Sequence, residues 1–193
     1  MPEKQLWLLA GGDGAGKSTF YKTFLAPRGI TFVNADQIAR RIAPTAAQQA
    51  SYEAAQIAAR LRAGLLRQEV PFCFETVFSH PSKIDFVATA KAQGYEVILV
   101  FIHLQNAELN KARVAQRVSE GGHSVPEDKI ETRVALSLQY VRAAIPLCDE
   151  VHVVDNSSYE NPYQRVATLM RGQVTNSVDP LPDWALDLLK DYR

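Results

Sequence analysis

The feature that most constrains this chain is the run Gly11-Gly12-Asp13-Gly14-Ala15-Gly16-Lys17-Ser18, set between an apolar segment and a helix-forming one. It fits the pattern G-x-x-x-x-G-K-[ST]. Leu6–Ala10 before it reads as a buried strand, and Thr19 to Leu25 after it reads as a helix stopped by Pro27. Strand, glycine loop and helix in that order are the context in which this pattern cradles phosphates. Glycines let the backbone fold so tightly that successive N–H groups converge on one anion. The helix N-terminus adds about half a positive charge. Lys17 has the reach for β- and γ-phosphates, and the Ser18 hydroxyl suits Mg²⁺. The expectation is a bound nucleoside triphosphate, contacted by Gly11, Gly12, Asp13, Gly14, Ala15, Gly16, Lys17, Ser18 and Thr19, with Ser18 as the metal ligand.

The rest of the composition narrows the class. At 193 residues a single domain over 1–193 is expected. Hydrophobic residues at 47% and charged residues at 22% are those of an ordinary globular protein. Formal net charge is zero, with no Lys/Arg run, which argues against nonspecific nucleic-acid binding. No apolar stretch has the length of a bilayer span, and the N-terminus lacks a signal-peptide pattern, so no membrane and a cytoplasmic location are expected. Cys73 and Cys148 are far apart, and His80, His103, His123 and His152 are scattered, so neither a disulfide framework nor a His/Cys metal motif is expected.

Five apolar runs read as buried parallel strands because they are apolar throughout rather than alternating: Leu6–Ala10, Ile30–Val33, Pro71–Val77, Tyr95–Leu104 and Val151–Val154. Helical stretches separate them. Thr45-x-x-Gln48 resembles a capping box opening a helix to about Gln68, and Ser124-x-x-Glu127 another reaching about Ile145. Pro81 suits a first helical turn, and Gly94 a helix end. Asn106 opens a further helix, which Gly121-Gly122 breaks after Glu120, and a short amphipathic helix is expected over about 179–193. Strands alternating with helices imply a parallel sheet covered on both faces. Chemistry then belongs at the carboxyl ends of the strands.

At that edge, Asp36 follows the second run. A carboxylate there can take the proton of an attacking hydroxyl during phosphoryl transfer, or simply cap the next helix. Glu75 and Thr76 end the third run, where an acid in an apolar strand is costly without a partner. Glu75 is a candidate for a substrate hydroxyl or a metal-bound water, against an exposed strand end with no role. Arg113 and Arg117 share a helix face, and Arg133 lies beyond the Gly121-Gly122-His123 loop. They read either as a lid that neutralises transferring phosphate or as solvated helix arginines. Asp155-Asn156-Ser157 ends the last strand, where a loop beside the nucleotide base and a plain turn are both open. No apolar run closes in the Asp that usually partners Mg²⁺, which favours small-molecule kinases over motor-type ATPases.

These stretches together resemble the zeta-toxin-like P-loop kinases, in the short single-domain bacterial branch. The likeness runs from Leu8-Leu9-Ala10 and the glycine loop through Asn34-Ala35-Asp36, Phe74-Glu75-Thr76-Val77, Ala92–Val97, Arg113 and Arg117, Gly121-Gly122-His123-Ser124-Val125-Pro126-Glu127, Arg133 and Asp155-Asn156-Ser157. The resemblance implies a three-layer α/β/α P-loop NTPase fold of nucleoside-monophosphate-kinase type, with five parallel strands and a lid region over about 106–145. It implies ATP and Mg²⁺ as cofactors and Asp36 as catalytic base. Lys17 and Ser18 would hold the triphosphate and metal, Glu75, Thr76 and Arg113 the acceptor side, Asn156 the nucleotide, and Arg117 and Arg133 the transferring phosphoryl group. The implied acceptor is a hydroxyl of a UDP-activated amino sugar. The chain is shorter than the classical toxins and its lid spacing differs. No fused antitoxin segment is expected before Leu6, so a separate antitoxin protein or a non-toxic kinase on another acceptor follows. The rival class is a nucleotide-binding switch with incidental ATP hydrolysis. A pocket lined by Asp36, Glu75 and Thr76 beside the phosphate site favours the kinase, and a flat apolar surface favours the switch.

Overall fold

The structure is a computed structural model and describes residues 4–120 and 124–192. Gly121, Gly122 and His123, expected to break the lid, lie outside the described residues. The sheet is built from β1 (Gln5–Ala10), β2 (Thr31–Val33), β3 (Phe72–Thr76), β4 (Glu96–His103), β5 (Glu150–Asp155), β6 (Gln164–Met170) and β7 (Gln173–Ser177). Their spatial order is β2-β3-β1-β4-β5-β6-β7. The first five in that order run parallel, and β6 and β7 are antiparallel. The fold is a P-loop NTPase-like α/β architecture.

The expected five-stranded parallel sheet is therefore corrected to a seven-stranded mixed one. The two added strands form a hairpin closed by Arg171-Gly172, both at positive φ (50° and 78°). That backbone matches the twist of the flanking strands, and Asn-Gly or Asp-Gly is its usual sequence. Arg-Gly carries a weaker signal. Strand β7 is an edge strand, mostly polar and exposed, so it shows no apolar run.

Alternation along the central strands sorts the core onto two faces. Leu6, Leu8 and Ala10 of β1 pack with Phe72, Phe74, Leu99 and Phe101 beneath α3 (Ser51–Arg67), α4 (Ser82–Ala92), α6 (Glu127–Ala144) and α7 (Asp183–Leu189). Trp7 and Leu9 face the other way, with Val100 and Ile102, towards the segment after the glycine loop and α5 (Ala107–Ser119). A third cluster, Val114, Ile130 and Val134, joins α5 to α6. Both sheet faces are thus covered, which is why the strands are apolar on both sides.

Local starts and stops differ from expectation at four places. The helix after the glycine loop is α-helical only over Lys17–Phe20 (α1), then widens over Tyr21–Leu25 and tightens over Ala26–Arg28, ending at Gly29 with φ 73°. Helix α3 starts at Ser51 without a side-chain cap, so Thr45-x-x-Gln48 is not a capping box. Helix α6 starts behind Pro126, again without one, so Ser124-x-x-Glu127 is not either. The C-terminal helix is confined to Asp183–Leu189, buried through Ala185, Leu188 and Leu189.

Candidate functional site

Because β1 has β3 on one side and β4 on the other, the chain reverses its direction of travel across the sheet at the carboxyl end of β1. Crevices open at such switch points, and the glycine loop emerges there. The loop is clasped from behind. Asn110 of α5 donates to the Asp13 carbonyl (2.6 Å), Asn156 donates to the Ala15 carbonyl (2.9 Å), and the Tyr163 hydroxyl donates to the Gly16 carbonyl (2.9 Å). The Asn156 side-chain oxygen in turn accepts from the Tyr163 backbone N–H at 3.2 Å. Glycine is required where the clasp is tightest. Gly16 sits at φ 97°, and a Cβ there would lie 2.5 Å from the Asn156 amide nitrogen.

In front of the loop lies a cavity of about 500 Å³, within the usual size range of small-ligand sites. Asp13, Gly14, Gly16, Lys17, Ser18 and Thr19 line one part of it, Asp36, Glu75 and Thr76 another, and Arg113, Arg117 and Arg133 a third. Gly11, Gly12 and Ala15 are buried in the loop behind this surface. Asn156 is also buried, and both ends of its amide are engaged with protein, so it braces the loop rather than lining the cavity.

Lys17 is 6% exposed, and its ammonium donates to the Gly11 and Gly12 carbonyls at 2.8 Å each. The same ammonium stands 3.8 Å from the Glu75 carboxylate. Glu75 accepts from the Ser18 hydroxyl at 2.5 Å and from the Asn34 amide at 2.7 Å. The acid that β3 carries into an apolar strand is thus partnered three times. Its charge, after burial itself, helps push the Cys73 thiol well above its ordinary range.

Asp36 lies in the first turn of α2 (Ala35–Ile42) and is exposed. The helix is capped by Asn34, whose side-chain oxygen accepts from the Gln37 N–H at 3.0 Å. The capping alternative for Asp36 is therefore filled by another residue, leaving its carboxylate facing the cavity. Beyond β3 the chain turns sharply. Phe78 is fully buried at φ 60°, and its N–H is held by the Thr76 hydroxyl oxygen at 3.0 Å. A bulky residue in the left-handed region is a strained feature of the sort found at ligand-binding loops.

The arginines converge from two helices. Arg133 pairs with Asp13 at 3.1 Å. Arg113 lies over the Tyr159 ring at 5.3 Å and donates to the Ser157 carbonyl at 3.4 Å. Sequence reasoning missed several participants. Asn34 follows the N-cap rule and was legible in principle. Asn110, Tyr163, Arg62 and Lys83 carry no local signal, and the last two also line the cavity.

A glycine-loop cradle, an exposed carboxylate across from it and convergent arginines define a kinase-like P-loop domain. The chain belongs to the family described as the AAA domain, whose profile matches residues 6–136. A relative described as an uncharacterised protein of Haemophilus influenzae is 32% identical over 140 residues, covering 69% of this chain and 99% of that protein. Among solved structures, a chain of the AvrRxo1-ORF1:-ORF2 complex with ATP aligns over 99% of this chain with a TM-score of 0.74 and 18% identity. This chain spans only 64% of that one. A chain of the PezAT chromosomal toxin–antitoxin system of Streptococcus pneumoniae aligns over 100% of this chain and 80% of its own, with a TM-score of 0.62 and 14% identity. At such identities these two likenesses speak to the fold. No described helix is long and apolar enough to cross a membrane.

Proposed function

We propose that this protein is an ATP- and Mg²⁺-dependent kinase of zeta-toxin type, acting on a hydroxyl of a small molecule. The observation that carries this reading is the shared cavity: Asp36, Glu75 and Thr76 line the same space as Lys17 and Ser18. Room for an acceptor beside the phosphate site is what a kinase needs and a nucleotide switch does not.

In this reading the glycine loop and Lys17 bind the triphosphate, Lys17 exchanging the Gly11 and Gly12 carbonyls for phosphate oxygens. Asp36 orients the acceptor hydroxyl and takes its proton as the oxygen attacks the γ-phosphorus in line. Glu75, Thr76 and Arg113 position the acceptor. Arg117 and Arg133 neutralise charge spread over the transferring group. The groups at Ser18 able to hold a metal are oxygens, its hydroxyl and the neighbouring Glu75 carboxylate, with the Asn34 amide nitrogen 3.5 Å away. That suits a hard cation that takes one or two protein oxygens along with phosphates. Mg²⁺ held by Ser18 would neutralise the β- and γ-phosphate charge.

The acceptor proposed is a UDP-activated amino sugar or a similar molecule. We also propose that residues 1–193 act as one kinase domain in the cytoplasm, with α5 and α6 as the lid, and that a separate antitoxin protein binds it. The two-component composition of the AvrRxo1 and PezAT structures supports looking for such a partner. The test is mass spectrometry of a reaction with ATP, Mg²⁺ and a panel of UDP-sugars, with Asp36→Asn in parallel. A UDP-sugar that gains one phosphate only with the native protein supports the reading. ATP loss without a phosphorylated sugar, equal in the variant, favours a switch or another acceptor.

A further inference from the structure

Two cations from α3 and α4 line the cavity without an ion pair among the described residues. Arg62 of α3 and Lys83 of α4 line it together with Asp36, Glu75 and Thr76. Arg62 lies over the rings of Phe74 and Phe86, 5.0 and 5.4 Å from their centroids, and its Nε is buried without a hydrogen-bond partner among the described residues. The carboxylates nearby are engaged elsewhere or unused. Asp13 pairs with Arg133 and Glu75 faces Lys17. Among the described residues Asp36 makes no ion pair, and neither Arg62 nor Lys83 does.

Two half-buried like charges side by side are unfavourable unless an anion joins them. Burial lowers the affinity of both groups for their protons, and for Lys83 the neighbouring Arg62 charge adds to it. In the kinase reading the loop, Lys17, Arg117 and Arg133 already supply the triphosphate side. Arg62 and Lys83 come from two other helices, α3 and α4, and line the cavity together with Glu75 and Thr76 at the end of β3. A guanidinium held over aromatic rings presents a fork for two oxygens, and an ammonium beside it adds a movable donor.

We propose that Arg62 and Lys83 form the subsite for an anionic group of the acceptor, so that the molecule phosphorylated carries a phosphate or carboxylate besides its reacting hydroxyl. This rests on the kinase reading above and adds which residues hold the acceptor's charged end, and that an acceptor lacking one is not used. The site's function is recognition: the anion anchors one end of the acceptor and leaves its hydroxyl free to meet Asp36.

The experiment has two arms. In the first, ATP turnover and phosphate transfer are followed with matched acceptors: N-acetylglucosamine against its 1-phosphate and its UDP derivative, and glucose against glucuronate. Phosphorylated or carboxylated members should be substrates and their neutral partners should not, and the pair that responds tells phosphate from carboxylate. Arg62→Gln and Lys83→Gln should each raise KM for the anionic acceptor about tenfold or more with ATP KM little changed. Equal use of a neutral partner, or an unchanged acceptor KM in both variants, overturns the subsite. In the second arm, inorganic phosphate is titrated by calorimetry into protein saturated with Mg²⁺ and a non-hydrolysable ATP analogue. Binding that is lost in the Arg62→Gln/Lys83→Gln double variant supports the subsite even if no acceptor in the panel is phosphorylated, an outcome that would count against the kinase reading alone. No phosphate binding, or binding unaffected by the double variant, overturns the subsite.

Discussion

Arg133 of α6 and Asp13 of the glycine loop form an ion pair, guanidinium to carboxylate at 3.1 Å. The α6 side of the cavity is thereby tied to the loop that would hold the phosphates. For Arg133 to meet a transferring phosphoryl group it must exchange one anion for another, which costs less than extracting a bare charge from water. Arg133→Ala should lower kcat by about 10²–10³-fold while changing ATP affinity much less. Steady-state kinetics across ATP and acceptor concentrations decide this, and an unchanged kcat would remove Arg133 from the transition state.

Asp36 can be tested cleanly because Asn34 already caps α2. Asp36 contributes to that helix only through its charge in the first turn, worth about 0.3–1 kcal/mol. Asp36→Asn should therefore leave thermal stability within that margin and cut turnover by about 10²–10⁴-fold. Thermal melts alongside kinetics separate the two effects. Equal turnover by the variant would disqualify Asp36 as the base.

Lys17 is buried against the Gly11 and Gly12 carbonyls and faces Glu75. Lys17→Ala leaves the Glu75 carboxylate with its Ser18 and Asn34 donors but without a cation. Calorimetric titration with ATP should show affinity falling at least about tenfold, with transfer falling further. Native affinity and rate in this variant would contradict the phosphate-loop assignment.

The clasp behind the loop predicts a different phenotype. Asn156 joins the Ala15 carbonyl to the Tyr163 N–H in a buried setting, so Asn156→Ala strands both partners. A cost of about 1–3 kcal/mol in unfolding free energy is expected. Because the loop is loosened rather than discharged, KM for ATP should rise more than kcat falls. Denaturant unfolding measures the first effect and kinetics the second.

His103, at the end of β4, is buried against Trp184, with ring centroids 4.5 Å apart. Burial lowers its pKa from the ordinary 6.5 to about 4, against the opposing pull of Asp155. Between those values the unfolded chain binds a proton that the folded one refuses. Stability is thus full above about pH 6.5, falls as pH drops towards 4, and levels below that. The contribution reaches on the order of 3 kcal/mol. Urea unfolding from pH 4 to 7.5 should give a shallower slope for His103→Phe than for the native protein. Parallel slopes would mean that His103 titrates normally when folded.

What could be read from the sequence divides along physical lines. The strands β1, β3, β4 and β5 were legible because a strand buried on both faces leaves a continuous apolar run. The glycine loop was legible because its conformation admits few residues. The hairpin β6–β7 was not, since an edge strand has little to bury and its turn carries Arg171 where Asn or Asp is usual. The two capping boxes failed because a four-residue pattern is cheap to match and the packing of the helix decides where it starts. Asp36 could be nominated, but its freedom from the capping duty depended on Asn34 having taken it.

The sequence alone therefore determined the P-loop and nominated residues able to handle a phosphate, since the glycine-loop pattern rests on near neighbours in the chain. Tertiary structure decided which of them meet. Asn110, Asn156 and Tyr163 brace the loop from positions remote in sequence, and Arg62 and Lys83 come together from different helices, Arg62 over the rings of Phe74 and Phe86. An isolated arginine on an alanine-rich helix has no local pattern, because what matters about it, an uncompensated charge half out of water, exists only once the sheet and its helices have closed around it.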